Sequence, residues 1–224
     1  MGEYYRWVNV DKKEYLCPSE FDFGNKRHES LVRNNEFLRA LRDLLSKEWA
    51  GDHVFWMGDE KRIPQDADNV TLRTLYDHTV QAGYPGEASD TIYEAYKNIS
   101  GLFKAAEPEV RWEIEQYLED LKDPEVMAYN EYGIDIKNPF GGLFLREGRN
   151  FLYTVNHTKK TCYSFEATKI LYQSNEESDF VDPLPILLSY GNHADIGMWV
   201  GDIIGVSDEM PEGYHLLGSI KLDW

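Results

Sequence analysis

Hydrophobic and polar positions along the chain change period several times, and each change marks an element. From Tyr4 to Val10 aromatic and β-branched residues run into the polar stretch Asp11-Lys12-Lys13, and a second such run follows from Tyr15 to Cys17. That pattern predicts a β-hairpin. From about Glu29 to Lys47, Leu31, Phe37, Leu38, Leu41, Leu44 and Leu45 recur at helical spacing, which predicts an amphipathic helix. Trp49-Ala50-Gly51-Asp52 then reads as a turn, His53-Val54-Phe55-Trp56-Met57 as a short buried strand and Gly58-Asp59-Glu60 as an acidic turn. A further helix is expected from Asn69 to Ala82. Ser89 reads as the N-cap of another, with Ile92, Tyr96, Ile99 and Phe103 on one face to about Ala105. Pro108 opens a third, burying Val110, Ile114, Tyr117, Leu118 and Leu121, and Asn138-Pro139-Phe140-Gly141-Gly142 is the clearest turn, a junction.

Beyond that junction the early pattern returns. Phe151-Leu152-Tyr153-Thr154-Val155-Asn156-His157-Thr158-Lys159-Lys160 matches Tyr4 to Lys13, with Val-Asn and Lys-Lys at identical spacing. Its predicted turn is His157-Thr158-Lys159, and the return run is Cys162 to Phe165. Trp199-Val200-Gly201-Asp202, then Ile203 to Val206, then Ser207-Asp208-Glu209 match the block that begins at Trp49, one residue shorter, a difference a β-bulge would absorb. Between these blocks Leu184, Leu187 and Leu188 parallel the leucines of the first helix. Asp182 reads as an N-cap and Pro183 as the first residue of a helix ending near Gly191.

The expectation is an α+β fold of two degenerate hairpin-helix-strand units. They would form a mixed, largely antiparallel sheet with helices on one side. Residues 1–64 are the first unit, 65–148 a helical insert and 149–224 the second unit, together one compact domain.

Composition changes this picture little. The 224 residues are 42% hydrophobic and 28% charged, ordinary for a folded protein. Charge changes it more: 23 Lys and Arg against 40 Asp and Glu give a net −17. Such a surface repels nucleic acid and anionic membranes and leaves a basic protein partner, a cation or a neutral small molecule as candidates. Cys17 and Cys162 form no C-x-x-C and have no zinc-ligand spacing. The first residues lack an apolar leader and no apolar run reaches the length of a membrane span, so a cytoplasmic location is expected.

Tyr5-x-Trp7-Val8-Asn9, followed by Trp49-Ala50-Gly51-Asp52, resembles a set of uncharacterised bacterial proteins that share these two elements. The resemblance covers roughly the first 60 residues. It implies a shared fold and a bacterial origin, and it carries no catalytic residues, because no activity is established for that set.

Signatures for a P-loop, a dinucleotide fold, a serine hydrolase elbow and a zincin helix are missing from the sequence. The chemistry it does offer is a duplicated carboxylate set, Asp52, Asp59 and Glu60 with Asp202, Asp208 and Glu209. Packed about a pseudo-two-fold, these turns would converge as oxygen ligands for Mg²⁺ or Ca²⁺. His53 and His193 lie close by as a further ligand or a general base. The competing reading is ordinary turn chemistry, in which Asp bonds nearby backbone and Gly accepts positive φ. The loop Tyr190 to Gly197, with His193 and Asp195, has no counterpart in the first unit and is a place for a grafted site. Trp49 and Trp199 read as core, and Cys17 as a nucleophile only if His28 folds beside it. The favoured function is an acidic binding protein, an immunity-like antagonist of a basic partner. A metal-assisted hydrolase with Asp52 and Asp202 as ligands and His193 as base is the alternative, and a purely assembly role a third. No organic cofactor is expected.

Overall fold

The computed structural model describes residues 2–21, 23–84, 90–103, 119, 148–171, 176–192 and 196–222. The chain divides into two compact units, Met1–Ser100 with Gly148–Trp224, and Gly101–Glu147. The predicted helix opened by Pro108 and the turn at 138–142 lie outside the described residues. In the larger unit the architecture is α+β, with sheets that are mixed and largely antiparallel. No helix among the described residues is long and apolar enough to cross a membrane.

The first hairpin joins β1 (Tyr5–Asn9) to β2 (Glu14–Leu16), and β3 (Val54–Gly58) pairs antiparallel with the other edge of β1. The second hairpin, β5 (Tyr153–Asn156) and β6 (Thr161–Tyr163), has β9 (Ile204–Ser207) in the same place. Asn9 faces Val54 in one ladder and Asn156 faces Ile204 in the other. The expected bulge is absent from these strands. The second ladder instead stops one pair earlier, where Tyr153 meets Ser207. The hairpin turns agree in detail. Lys13 and Lys160 hold φ of 56° and 54°, and Gly51 and Gly201 both hold 85°.

The structural correspondence between the two hairpin regions extends further than the sequence pattern indicates. β4 (Lys97–Asn98) lies parallel to β2, and β10 (His215–Leu216) lies parallel to β6. The flanking bonds correspond: Lys97 N–H donates to Lys13 C=O at 2.9 Å, and His215 N–H to Lys160 C=O at 2.9 Å. The helix expected from Ser89 to Ala105 therefore ends early. The structure has α3 (Asp90–Ala95), the short strand β4 and a 3-10 turn at Ser100–Phe103. Buried Ile92, Tyr96 and Ile99 do fit a helical period, but the ladder to β2 captures the last of them.

Among the described residues the strands form three sheets, not the expected single one. The first runs β4-β2-β1-β3-β8, where β8 is Ser189–Tyr190, the second β10-β6-β5-β9, and β7 (Lys169–Leu171) forms a third with β11 (Ser219–Lys221). An antiparallel bridge between His53 and Ile203, the equivalent residues that open β3 and β9, joins the first two. β8 (Ser189–Tyr190) runs parallel to β3 and takes residues predicted to end a helix. That helix, α4, covers only Leu184–Leu187.

Helices cover both faces of the first sheet, not one. β3 is buried at every position, the signature of a strand enclosed on both sides. On one face Val8, Val10, Phe55 and Met57 pack with Leu72 and Leu75 of α2 (Val70–Gln81) and Ile92 of α3. On the other, the Trp56 ring packs tilted against Trp7 at 5.1 Å and against Phe37 of α1 (Glu36–Leu45) at 5.8 Å. Helix α1 spans Glu36–Leu45, shorter than the predicted 29–47. Asn34 takes a left-handed φ of 64° and the Asn35 side chain accepts from Leu38 N–H at 2.7 Å, so the helix starts there. Leu31 lies before it, outside the helix, between the turn at 27–30 and the bridge residue Val32. Helix α2, capped by Asn69, matches its prediction to within a residue at each end.

Candidate functional site

Of the duplicated carboxylates, Asp52 and Asp202 occupy equivalent places and each turns to its own hairpin. Asp52 accepts from Asn9 Nδ2 at 2.9 Å and lies 3.4 Å from Lys12 Nζ. Asp202 accepts from Asn156 Nδ2 at 2.7 Å and pairs with Lys159 Nζ. Each Asn, fully buried, also uses Oδ1 to take the N–H of the same lysine, at 2.9 and 2.8 Å. Asn, Lys and Asp thus close each turn as one unit, the arrangement expected of turn chemistry. Asp59 Oδ1 accepts from Tyr4 N–H at 2.8 Å, and Asp208 pairs with Arg149 at the surface. The C=O of Glu60 accepts from Asn192 Nδ2 at 2.6 Å, and the Ser207 hydroxyl bridges the backbone of Glu209. Among the described residues no three His, Cys, Asp or Glu side chains gather where they could hold a metal ion.

His53 Nδ1 lies 2.9 Å from Asp11 Oδ2, and both line an open cleft of about 250 Å³ with Asn69, Thr71, Thr74 and Gly201. Asp11 also accepts the His53 backbone N–H. In the second copy Thr158 Oγ1 does the same for Ile203, at 2.9 Å. His193 and Asp195 lie outside the described residues. Cys17 is buried with Sγ 3.0 Å from Ser19 Oγ. Partial burial and then the adjacent Arg27 push the pKa of His28 down to about 4. Trp49 and Trp199 are buried, with Trp49 Nε1 donating to Glu14 at 2.8 Å and Trp199 tilted against Tyr163.

A second group of residues was not singled out for chemistry by the sequence. Arg42 of α1 and Asp182 before α4 form an ion pair in the interior, 1% and 0% exposed. Asp182 Oδ1 accepts from Tyr163 Oη and from Leu184 N–H, both at 3.0 Å. Burial alone would weaken Arg42's hold on its proton, but Asp182 more than reverses this and keeps the guanidinium charged. Burial, reinforced by Asp182, raises the Tyr163 phenol well above its ordinary value.

The residues before Asp182 form a strap held from both sides. Leu171 bridges Glu177 and Val32 bridges Val181. Ser178 N–H donates to Ile170 C=O at 2.9 Å, Arg33 N–H to Phe180 C=O at 2.8 Å and Asp182 N–H to Leu31 C=O at 2.8 Å. Beside the strap is a cleft of about 230 Å³ lined by Arg33, Phe165, Glu166, Lys169, Glu177 and Asp179, among others. Arg33 lies 3.9 Å over the Phe165 ring, and Lys169 is 2.7 Å from Glu177. Phe180, next to Asp179, is 79% exposed. The run Glu176-Glu177-Ser178-Asp179-Phe180 carries this feature in the sequence, as an aromatic ending an acidic stretch with no apolar period around it.

Compared with known proteins, the chain matches no family model, no curated protein and no solved structure.

Proposed function

We propose that this protein is an acidic binding protein that docks on a basic protein partner, in the manner of an immunity-type antagonist. The carrying observation is the charge of −17, together with where the cations stand. Lys12, Arg42, Lys47, Arg149, Lys159 and Lys169 each lie against a carboxylate of the same chain. These six of the 23 basic side chains are held by the molecule's own carboxylates, and acidic residues outnumber basic ones by 17 over the whole chain. A field of one sign steers an oppositely charged partner and repels phosphate-bearing ones.

The test is binding of the purified chain to a panel of purified basic, neutral and acidic proteins at increasing salt. Binding confined to basic members, with association rates that fall as salt rises, supports the reading. Preference for neutral or acidic members, or association indifferent to salt, overturns it.

A further inference from the structure

We infer that the Phe180 strap and the adjoining Phe165 cleft are the docking face for a cationic, partly apolar segment of another protein. This rests on the acidic-binder reading and gives it a location. A single exposed apolar side chain is ordinary on a protein surface. Phe180 differs in three respects. Its ring is 79% exposed on backbone that is bonded on both sides, so binding orders little that is not already ordered. It adjoins a cleft whose floor includes a second aromatic, Phe165. And the surrounding charge is of one dominant sign. Glu166, Glu176 and Asp179 form no ion pair with a described residue, whereas Lys169 is taken by Glu177 and Arg33 lies on the Phe165 ring.

Charge and shape together select the occupant. A lysine or arginine side chain is attracted by Glu166 and Asp179, and an adjacent apolar residue covers Phe180. An aromatic anchor within a polar rim is a common arrangement of the few side chains that dominate an interface's energy. The buried Arg42–Asp182 pair belongs to the same design. It pins the residue at which the strap turns into α4, two positions from Phe180, and so fixes where the ring is presented.

The experiment titrates the full chain with three synthetic peptides: alternating lysine and leucine, lysine alone, and alternating glutamate and leucine. The lysine–leucine peptide should bind most tightly, with an affinity that falls as salt rises. Phe180→Ser should weaken it about tenfold, the effect of losing a modest hot spot. Val70→Ser, at a comparably exposed apolar residue on α2, should leave it unchanged. Circular dichroism should show both variants melting as the wild type does, because neither side chain is buried. If Phe180→Ser binds as tightly as wild type, the face is wrong and the acidic-binder reading stands. If the wild type does not prefer the lysine–leucine peptide to the glutamate–leucine one, that reading fails and the inference with it. A homodimer in light scattering that Phe180→Ser disperses would mean that a second copy covers the strap, which overturns the proposal.

Discussion

Replacing Asp182 with alanine removes the acceptor shared by Tyr163 Oη, Leu184 N–H and Arg42. It leaves the guanidinium, 1% exposed, without its counter-charge. The Nη1 of Arg42 has no hydrogen-bond acceptor among the described residues even in the native state, so there is no second partner on that side to take over. Breaking a buried pair from one end costs about 3–5 kcal/mol. For a chain of this size each kcal/mol lowers Tm by roughly 2–4 °C, which places the expected loss at about 6–20 °C. Thermal and urea unfolding followed by circular dichroism would measure it, the urea transition shifting in midpoint with its slope preserved. The paired variant Arg42→Leu with Asp182→Asn is the decisive companion. Asparagine can still accept from Tyr163 and Leu184, and no charge remains buried, so the double variant should be more stable than Asp182→Ala alone. A loss below about 1 kcal/mol for Asp182→Ala, or a double variant less stable than the single, would refute the account of the pair as an interior charge that needs its partner.

Asp52→Ala and Asp202→Ala should each cost about 1–3 kcal/mol in urea unfolding, because each strands the amide of a fully buried Asn. The response of the chelator-treated protein's Tm to Mg²⁺, Ca²⁺, Mn²⁺ or Zn²⁺ should be the same in the double variant as in the wild type. Stabilisation by one ion that the double variant loses would make these carboxylates ligands. Gly51→Ala and Gly201→Ala share a left-handed φ of 85° and so share a strain of about 1–2 kcal/mol. A Cβ at Gly51 meets nothing within 4 Å, whereas one at Gly201 lies 2.1 Å from Asn69 Nδ2. Gly201→Ala should therefore melt lower than Gly51→Ala, and equal melting would show that the Asn69 cap yields freely.

The parts of the fold legible in the sequence were those written in short-range periods. The hairpins, β3, β9 and α2 follow from alternation, a leucine stripe or a cap residue. What escaped is set by partners distant in the chain. Ile92, Tyr96 and Ile99 have the spacing of one helix face, yet Lys97 N–H is captured by Lys13 C=O and the helix stops. Ser189 and Tyr190 likewise leave a predicted helix to lie beside Trp56 and Met57, a pairing across more than half the chain. The start of α1 was missed because Leu31 happens to fit the leucine period, although Asn34 and Asn35 carried the stop and cap signals. The sequence shows the turn carboxylates Asp52 and Asp202 as a repeated pair. Their role turned on Asn9 and Asn156, whose buried amides the pattern registered only as part of a repeated motif.

The two halves supply an internal comparison that separates what the fold needs from what it carries. Asn, Lys, Gly and Asp recur at each turn with the same bonds and the same dihedrals, so their presence is explained by closing the hairpin. Where the two corresponding regions differ, closing the hairpin does not require one particular residue. Ile203 shows that the position of His53 tolerates an apolar side chain, provided that its N–H has an acceptor, and Thr158 shows that the acceptor need not be a carboxylate. The strap from Glu177 to Asp182 is a second difference, since the hairpin-to-helix connection of the first copy passes through the 3-10 turn at Pro18–Phe21 and the turn before α1. The strap has the one strongly exposed phenylalanine among the described residues and is anchored by an interior ion pair, a costly way to hold a loop that only connects two elements. Such an anchor is explained if the position of Phe180 matters to something outside the chain. That places the search for function on the strap, not on the duplicated carboxylates.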